Sequence, residues 1–120
     1  MSQSILCLAI LLFNEARGEP PKGQYAVLEV IHNRSQHPDY PDNYCDVIKQ
    51  KSQFSFYRSP HDLKPPKHEQ EAWEQSIKVA KDFSKKKTNY TNKALFFNHQ
   101  RLGVRFSKQL KCKIGKHVFF

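Results

Sequence analysis

The sequence has few acidic residues, few cysteines and no long apolar run. Its 120 residues contain 11 Asp and Glu against 20 Lys and Arg, which gives a formal charge of +9. A surplus of this size attracts polyanions over several ångströms and weakens with salt, but it does not define a reaction. The length corresponds to one domain with one core, and the 38% hydrophobic content is enough for that core to form. We therefore expect residues 1–120 to fold as a single domain.

The three cysteines are too few and too scattered for a disulfide framework or a structural zinc site. Cys7, Cys45 and Cys112 form no CxxC pair and cannot all be bridged. We interpret them as reduced thiols. The six histidines also never occur at the HExxH or HxxxH spacing that places two ligands on one helical face. We therefore expect no metal site and no cofactor.

The longest apolar run, residues 5–13, is too short to span a bilayer. It has the length of a signal-peptide core, but no Lys or Arg precedes it. Asn-Glu-Ala-Arg at 14–17 follows it in place of a small-residue cleavage site. A buried first helix fits these features better than a signal peptide. We expect the protein to accumulate in a cytoplasm and not to insert stably into a membrane.

Hydrophobic periodicity predicts a helical front half. Residues 4–16 fit a buried helix that ends near Gly18, where a left-handed residue is often needed. A second helix starts at Pro20-Pro21 and carries one apolar stripe through Arg34. A short third helix is predicted through Val47 and Ile48, capped by Asp42 or Asn43, and residues 69–84 give the clearest amphipathic pattern.

The remaining segments predict loops and short strands. Residues 53–57 look extended, 58–68 read as a proline-rich loop, and 85–92 form a basic connector. Three strand candidates follow at 94–97, 103–106 and 117–120. The expected fold class is α+β: a helix-rich domain with a small antiparallel β-sheet toward the C terminus.

Glu15 is the residue whose placement indicates chemistry. It follows three leucines at helical spacing, so its carboxyl should lie on the apolar side of the first helix, close to the helix end. Desolvation there raises a carboxyl pKa and keeps the proton that a general acid donates to a glycosidic oxygen. The alternative is a structural Glu that ends the helix and pairs with Arg17 or another basic neighbour. The residues alone leave both interpretations open.

Four blocks of sequence carry a resemblance to a known family. They are AILLFNEARGEPPKGQYAVLEVIHNR at 9–34, YPDNYCDVIKQKSQFSF at 40–56, ALFFNH at 94–99 and IGKHVFF at 114–120. In this order they resemble the SleB/CwlJ-type cell wall hydrolases, which include the spore-cortex-lytic enzymes and their phage and bacterial relatives. The resemblance covers essentially the whole chain and is weakest over 58–92.

The resemblance implies a lysozyme-like fold and cleavage of peptidoglycan glycan strands between N-acetylmuramic acid and N-acetylglucosamine. It assigns the catalytic acid to Glu15, the first Glu of EARGE. The implied reaction is lytic transglycosylation, which leaves 1,6-anhydromuramic ends and needs a single carboxyl. Hydrolysis by water with the same Glu15 is the alternative outcome. We interpret Glu19 as a structural acid that accepts hydrogen bonds or pairs with Arg17 or Arg34, and we give Glu29 no catalytic role.

Two of the family blocks also supply side chains suited to sugars. Sugar rings stack on flat apolar faces, and their hydroxyls bond to amides and hydroxyls. The predicted substrate-binding residues are Gln53, Phe54, Ser55, Phe97, Asn98 and His99. Of these, Phe54 and Phe97 fit a core role better. His117 is predicted to be a buried structural histidine that links the last strand to the first helices.

The lysines define the expected partners. Lysines at 85–87, 108, 111, 113 and 116 form either an ordinary solvated face or a surface for anionic wall polymers and lipid phosphates. The competing class is a basic nucleic-acid-binding protein, but no recognised nucleic-acid motif accompanies the charge. We expect a monomeric phage endolysin, with a bacterial housekeeping enzyme as the alternative. Lacking a separate wall-binding module, such an enzyme would rely on these lysines for targeting.

Overall fold

A computed structural model describes residues 1–50, 67–99 and 110–120. Within these ranges the chain forms four helices and one three-stranded antiparallel sheet. The bounds are α1 Gln3–Glu15, α2 Pro21–Ser35, α3 Tyr44–Lys49, α4 Gln70–Lys85, β1 Phe97–His99, β2 Cys112–Ile114 and β3 His117–Phe119. The predicted helix-rich α+β class, with its small sheet toward the C terminus, is confirmed.

Helix α1 is the centre of the core. Its N terminus is capped by Ser2, whose side chain accepts a hydrogen bond from the Ile5 amide at 3.2 Å. Every residue from 7 to 13 is buried, as expected for a helix that is apolar on nearly all sides. Helices α3 and α4 pack against it. The helix predicted over 4–16 is therefore confirmed, as are the predictions for α2, α3 and α4 to within one or two residues.

Helix α2 buries a carboxylate on its inner side. Glu29 is 1% exposed and accepts hydrogen bonds from the Thr91 amide and the Thr91 hydroxyl, each at 2.9 Å. It also accepts from the Tyr90 amide at 2.9 Å and from the Thr88 hydroxyl. Four donors around one carboxylate compensate its desolvation. Glu29 therefore anchors the segment 88–91, which leads to β1, onto α2.

A disulfide bond ties α3 to α1. Cys7 and Cys45 are bonded, with their Cα atoms 5.4 Å apart, while Cys112 is free. The interpretation of all three cysteines as reduced was therefore wrong for this pair. Cys7 lies in the middle of α1 and Cys45 in the first turn of α3, and only the packing of the two helices brings them within bridging distance. Spacing along the sequence carries no sign of that packing.

The sheet has the order β1-β3-β2, with β3 in the centre. In this register His117 lies opposite His99 and Ile114, and Phe119 lies opposite Phe97 and Cys112. The strand predicted at 117–120 is confirmed. The observed strand β1 includes only the last residue of the strand predicted at 94–97. The amides of residues 95 and 96 both donate to the carbonyl of Phe120, the residue after β3. Strand β2 was not predicted, and the segments 53–57, 58–66 and 103–106 lie outside the described residues.

No helix in the described ranges combines the length and the apolar character needed to cross a membrane.

Candidate active site

Glu15 is the last residue of α1. It is half-buried, and this burial raises the pKa of its carboxyl above the ordinary value. Within the described part of the chain Glu15 makes no ion pair. Arg17, the partner in the structural interpretation, instead bonds Glu69 at 2.6 Å on the surface. A desolvated, unpaired carboxyl retains its proton to higher pH, which is the property that a general acid needs.

The chain turns sharply just after this carboxyl. The Ala16 amide closes the last helical turn on the Leu12 carbonyl at 2.8 Å, and Gly18 takes a left-handed conformation with φ of 87°. Gln24, on the first turns of α2, donates to the Glu19 carbonyl at 3.1 Å and to the Ala16 carbonyl at 3.5 Å. Glu15 therefore lies at an elbow between α1 and α2. The buried side chain of Gln24 stabilises this elbow.

Glu19 is turned into the protein at this elbow. Its Oε1 accepts a hydrogen bond from the Lys116 amide at 2.9 Å and lies 3.1 Å from His117 Nδ1. The predicted hydrogen-bonding role is observed, but the neighbouring side chain is a histidine and not an arginine. The two candidate arginines lie elsewhere, because Arg17 bonds Glu69 and the Arg34 Nε donates to the Leu95 carbonyl at 2.7 Å.

The structure separates the sugar-binding candidates of β1. Side chains alternate along a strand, so Phe97 and His99 share one face of the sheet and Asn98 points from the other. Phe97 packs on the core, with its ring 5.4 Å from the His117 ring, in agreement with a core role. His99 stacks edge-on to His117 at 5.9 Å, whereas Asn98 is exposed. Asn98 and His99 thus cannot contact a substrate from the same face of β1.

The other three sugar-binding candidates, Gln53, Phe54 and Ser55, lie outside the described residues. His117 is 95% buried and joins β3 to the α1–α2 elbow, as the sequence predicts. Gln24 is a residue that sequence reasoning missed. It belongs to the Gly-Gln dipeptide of the first family block. Its role depends on its hydrogen bonds to the Ala16 and Glu19 carbonyls, which the motif alone does not indicate.

No group of three or more His, Cys, Asp or Glu side chains within residues 1–50, 67–99 and 110–120 is placed to hold a metal ion.

The raised pKa of Glu15 predicts a measurable effect on stability. A carboxyl whose pKa is higher in the folded state binds its proton more tightly there, so stability falls as pH rises from the ordinary carboxyl value through the raised pKa. Glu15→Gln removes this penalty. We expect the variant to have a higher Tm than the wild type at pH 7 and an equal Tm near pH 4, measured by thermal unfolding. Equal Tm differences at both pH values would contradict the raised pKa.

The fold and this site together define an α+β enzyme domain with a candidate acid at the end of a core helix. The sequence matches the Cell Wall Hydrolase family over residues 18–120, and the chain belongs to that family. It is accordingly an enzyme of the cell wall hydrolase class. The match begins at Gly18, three residues beyond Glu15.

Solved structures and a curated relative agree with this membership. The catalytic domain of the germination-specific lytic transglycosylase SleB from Bacillus anthracis is 26% identical, with a TM-score of 0.74 over 99% of this chain and 95% of that domain. The catalytic domain of SleB from Bacillus cereus is also 26% identical, with a TM-score of 0.66 over 98% and 90%.

A spore cortex-lytic enzyme from Halalkalibacterium halodurans is 50% identical over 44 residues, which is 37% of this chain and 13% of that protein. The chain thus aligns with a small part of this relative's length. The resemblance to SleB/CwlJ-type hydrolases is confirmed by all three comparisons.

Proposed function

We propose that this protein cleaves the glycan strands of peptidoglycan, with Glu15 as the acid. The observation that carries the proposal is the half-buried Glu15 carboxyl, whose pKa is raised by desolvation and which meets no cation among the described residues. Membership of the Cell Wall Hydrolase family and the fold shared with two SleB catalytic domains support a wall polymer as the substrate.

The proposed reaction is lytic transglycosylation at the bond between N-acetylmuramic acid and N-acetylglucosamine. Protonated Glu15 donates to the glycosidic oxygen, and the bond from that oxygen to C1 of muramic acid breaks. The C6 hydroxyl of the same sugar then bonds to C1 and gives its proton to the Glu15 carboxylate. The acid is regenerated, no water is consumed, and the new end is a 1,6-anhydro ring.

One carboxyl is enough for this sequence of steps, and the neighbouring acids support that choice. Glu19 is 90% buried against His117, and Glu29 is enclosed by four donors, so neither is free to act as a nucleophile. A retaining hydrolase uses a second carboxyl about 5 Å from the acid. Neither of these two acids is available for that role.

Analysis of the products by mass spectrometry tests the proposal. We expect muropeptides released from purified peptidoglycan to carry anhydro ends, each lighter by one water than the corresponding reducing end. A digest by a hydrolytic muramidase, run in parallel, supplies the reducing-end masses. Reducing ends alone in the protein's own digest would show that water is the acceptor and would refute transglycosylation, while an absence of released fragments would refute glycan cleavage.

We further propose that the lysine-rich surface attracts the protein to an anionic envelope. Six of its lysines are exposed in the described ranges, at positions 85, 86, 87, 111, 113 and 116, while Lys108 lies outside them. Together with the +9 charge of the chain, they favour approach to wall polymers or lipid phosphates, and this attraction weakens with salt.

A role in host lysis by a phage is the biological setting that we propose, with accumulation in the host cytoplasm before release to the wall. Cytoplasmic thiols are kept reduced, whereas disulfides persist in oxidising compartments. In this setting the bond between Cys7 and Cys45 closes after the protein leaves the cytoplasm.

A further inference from the structure

The helix end that carries Glu15 is held by a group from the far end of the described chain. The last turn of α1 contains no basic residue, so the helix has no cation of its own at the negative end of its dipole. His117, on β3, lies beside this helix end: burial lowers the pKa of its imidazole, and the backbone of Glu15 is one of the groups that oppose this shift. A group that fixes the chain directly after Glu15 also limits where its carboxyl can point.

Glu19 holds His117 in turn. Their side chains are 10% and 5% exposed, and Oε1 of Glu19 lies 3.1 Å from Nδ1 of His117, outside hydrogen-bond angles. The same oxygen accepts from the Lys116 amide at 2.9 Å. A side-chain carbon on Gly115 would approach Glu19 Oε2 to 2.7 Å, so the turn between β2 and β3 closes directly over the carboxylate. We call Glu19 and His117 the elbow pair.

The imidazole of the elbow pair is also fixed by its neighbours in the sheet. The ring of Phe97 meets it at 5.4 Å and 89°, and the ring of His99 meets it at 5.9 Å and 76°. His117 belongs to the central strand, which is hydrogen-bonded on both sides. Burial lowers the pKa of His117 and the Glu19 carboxylate opposes that shift. Several independent contacts therefore specify one place for this ring.

If Glu19 and His117 served packing alone, their burial would lower the stability of the fold without any compensating benefit. Two polar side chains are taken out of water, and His117 Nδ1 is left without a well-formed hydrogen bond. A hydrophobic pair of similar volume stabilises a core at least as well as a buried ionic pair. The pair lies at the α1–α2 elbow, four residues beyond the helix end that carries Glu15, so the arrangement serves the geometry of that residue.

We infer that the elbow pair positions Glu15 for the reaction: His117 and the Lys116 amide hold the Glu19 side chain, and the Glu19 amide, bonded to the Ala16 carbonyl at 3.0 Å, holds the end of α1 so that the Glu15 carboxyl is directed at the glycosidic oxygen. This inference rests on the proposed function, because it assumes that Glu15 is the acid. Glu19 and His117 are positioning residues in this scheme, and neither touches the substrate.

Glu19→Gln, His117→Gln and the double variant test the inference on purified peptidoglycan. A misplacement of a catalytic group by about 1 Å can cost roughly a hundredfold in rate. We expect each single variant to lose roughly ten- to hundredfold in kcat with an unchanged KM. The double variant should lose no more than the worse single one, because the two residues act as one unit. Carbon-13 NMR of the Glu15 carboxyl should show an altered titration in each variant.

His37→Gln is the matched control, since His37 also lies beside a carboxylate, Asp39, at 3.8 Å, but on the surface. It should leave kcat and the Glu15 titration unchanged. If the elbow-pair variants do not fold, Gly115→Ala displaces the Glu19 carboxylate while keeping both residues of the pair, and it should give the same loss of kcat and the same change in titration.

A lower Tm with wild-type kcat and an unchanged Glu15 titration would overturn the inference and leave the pair with a structural role only. Glu15→Gln is assayed beside these variants. If it is inactive while the elbow-pair variants keep full activity, only the positioning role is wrong. If Glu15→Gln itself keeps full activity, the proposed function is wrong as well.

Discussion

Glu15→Gln should lower the rate of peptidoglycan cleavage by about 100- to 10,000-fold, the usual contribution of a general acid. Gln has nearly the shape of Glu and cannot donate a proton to the glycosidic oxygen. Binding to insoluble peptidoglycan should persist, because the substitution leaves the lysine-rich surface intact. Release of soluble muropeptides measures the rate, and co-sedimentation with purified wall measures binding.

Glu74→Gln is the matched control for this experiment. It makes the same chemical change on the exposed side of α4 and should retain the wild-type rate. Wild-type cleavage by Glu15→Gln would exclude Glu15 as the acid. A wild-type protein that binds nucleic acid tightly and releases no muropeptides would favour the competing class, a basic nucleic-acid-binding protein.

Loss of the disulfide bond should produce the second large effect. The bond closes a loop of 38 residues, for which the chain-entropy relation gives about 4 kcal/mol of stability. For a chain of this length that corresponds to a fall in Tm of roughly 15 °C. We expect the fall both in the wild type under reducing conditions and in the double variant Cys7→Ala/Cys45→Ala, followed by circular dichroism during heating.

Cys112→Ala is the control that separates loss of the disulfide bond from a nonspecific effect of replacing a cysteine. Cys112 is free and half-buried, so its removal should leave Tm within a few degrees of the wild type and preserve the response to reductant. Three titratable thiols in the native oxidised protein would show that the bond between α1 and α3 does not form. An unchanged Tm in the double variant would show that it contributes nothing to stability.

The helices could be predicted because their signals are local. Apolar spacing, a Ser cap and a left-handed Gly18 specify α1, and the amphipathic stripe specifies α4. The placement of Glu15 at the end of a buried helix follows from the same periodicity. Its raised pKa needs only burial, which that periodicity already implies.

Features made by packing between distant segments could not be predicted. The bond between Cys7 and Cys45 depends on how α3 lies against α1, and the contact of Glu19 with His117 depends on which strand takes the centre of the sheet. Strand β2 is only three residues long and rich in lysine nearby. It exists because β3 offers it a partner, and no local pattern signals that.

The central position of β3 constrains the order in which the protein acquires its active form. Chains emerge from the ribosome with their N-terminal residues first, so α1 and Glu15 are complete long before residues 117–119 appear. Until those residues arrive, the sheet has no central strand and Glu19 has no His117 beside it. A partly translated chain therefore has the proposed acid but not the elbow pair that we infer supports it, and a cell that makes the protein would be exposed to the assembled site only after synthesis has passed β3.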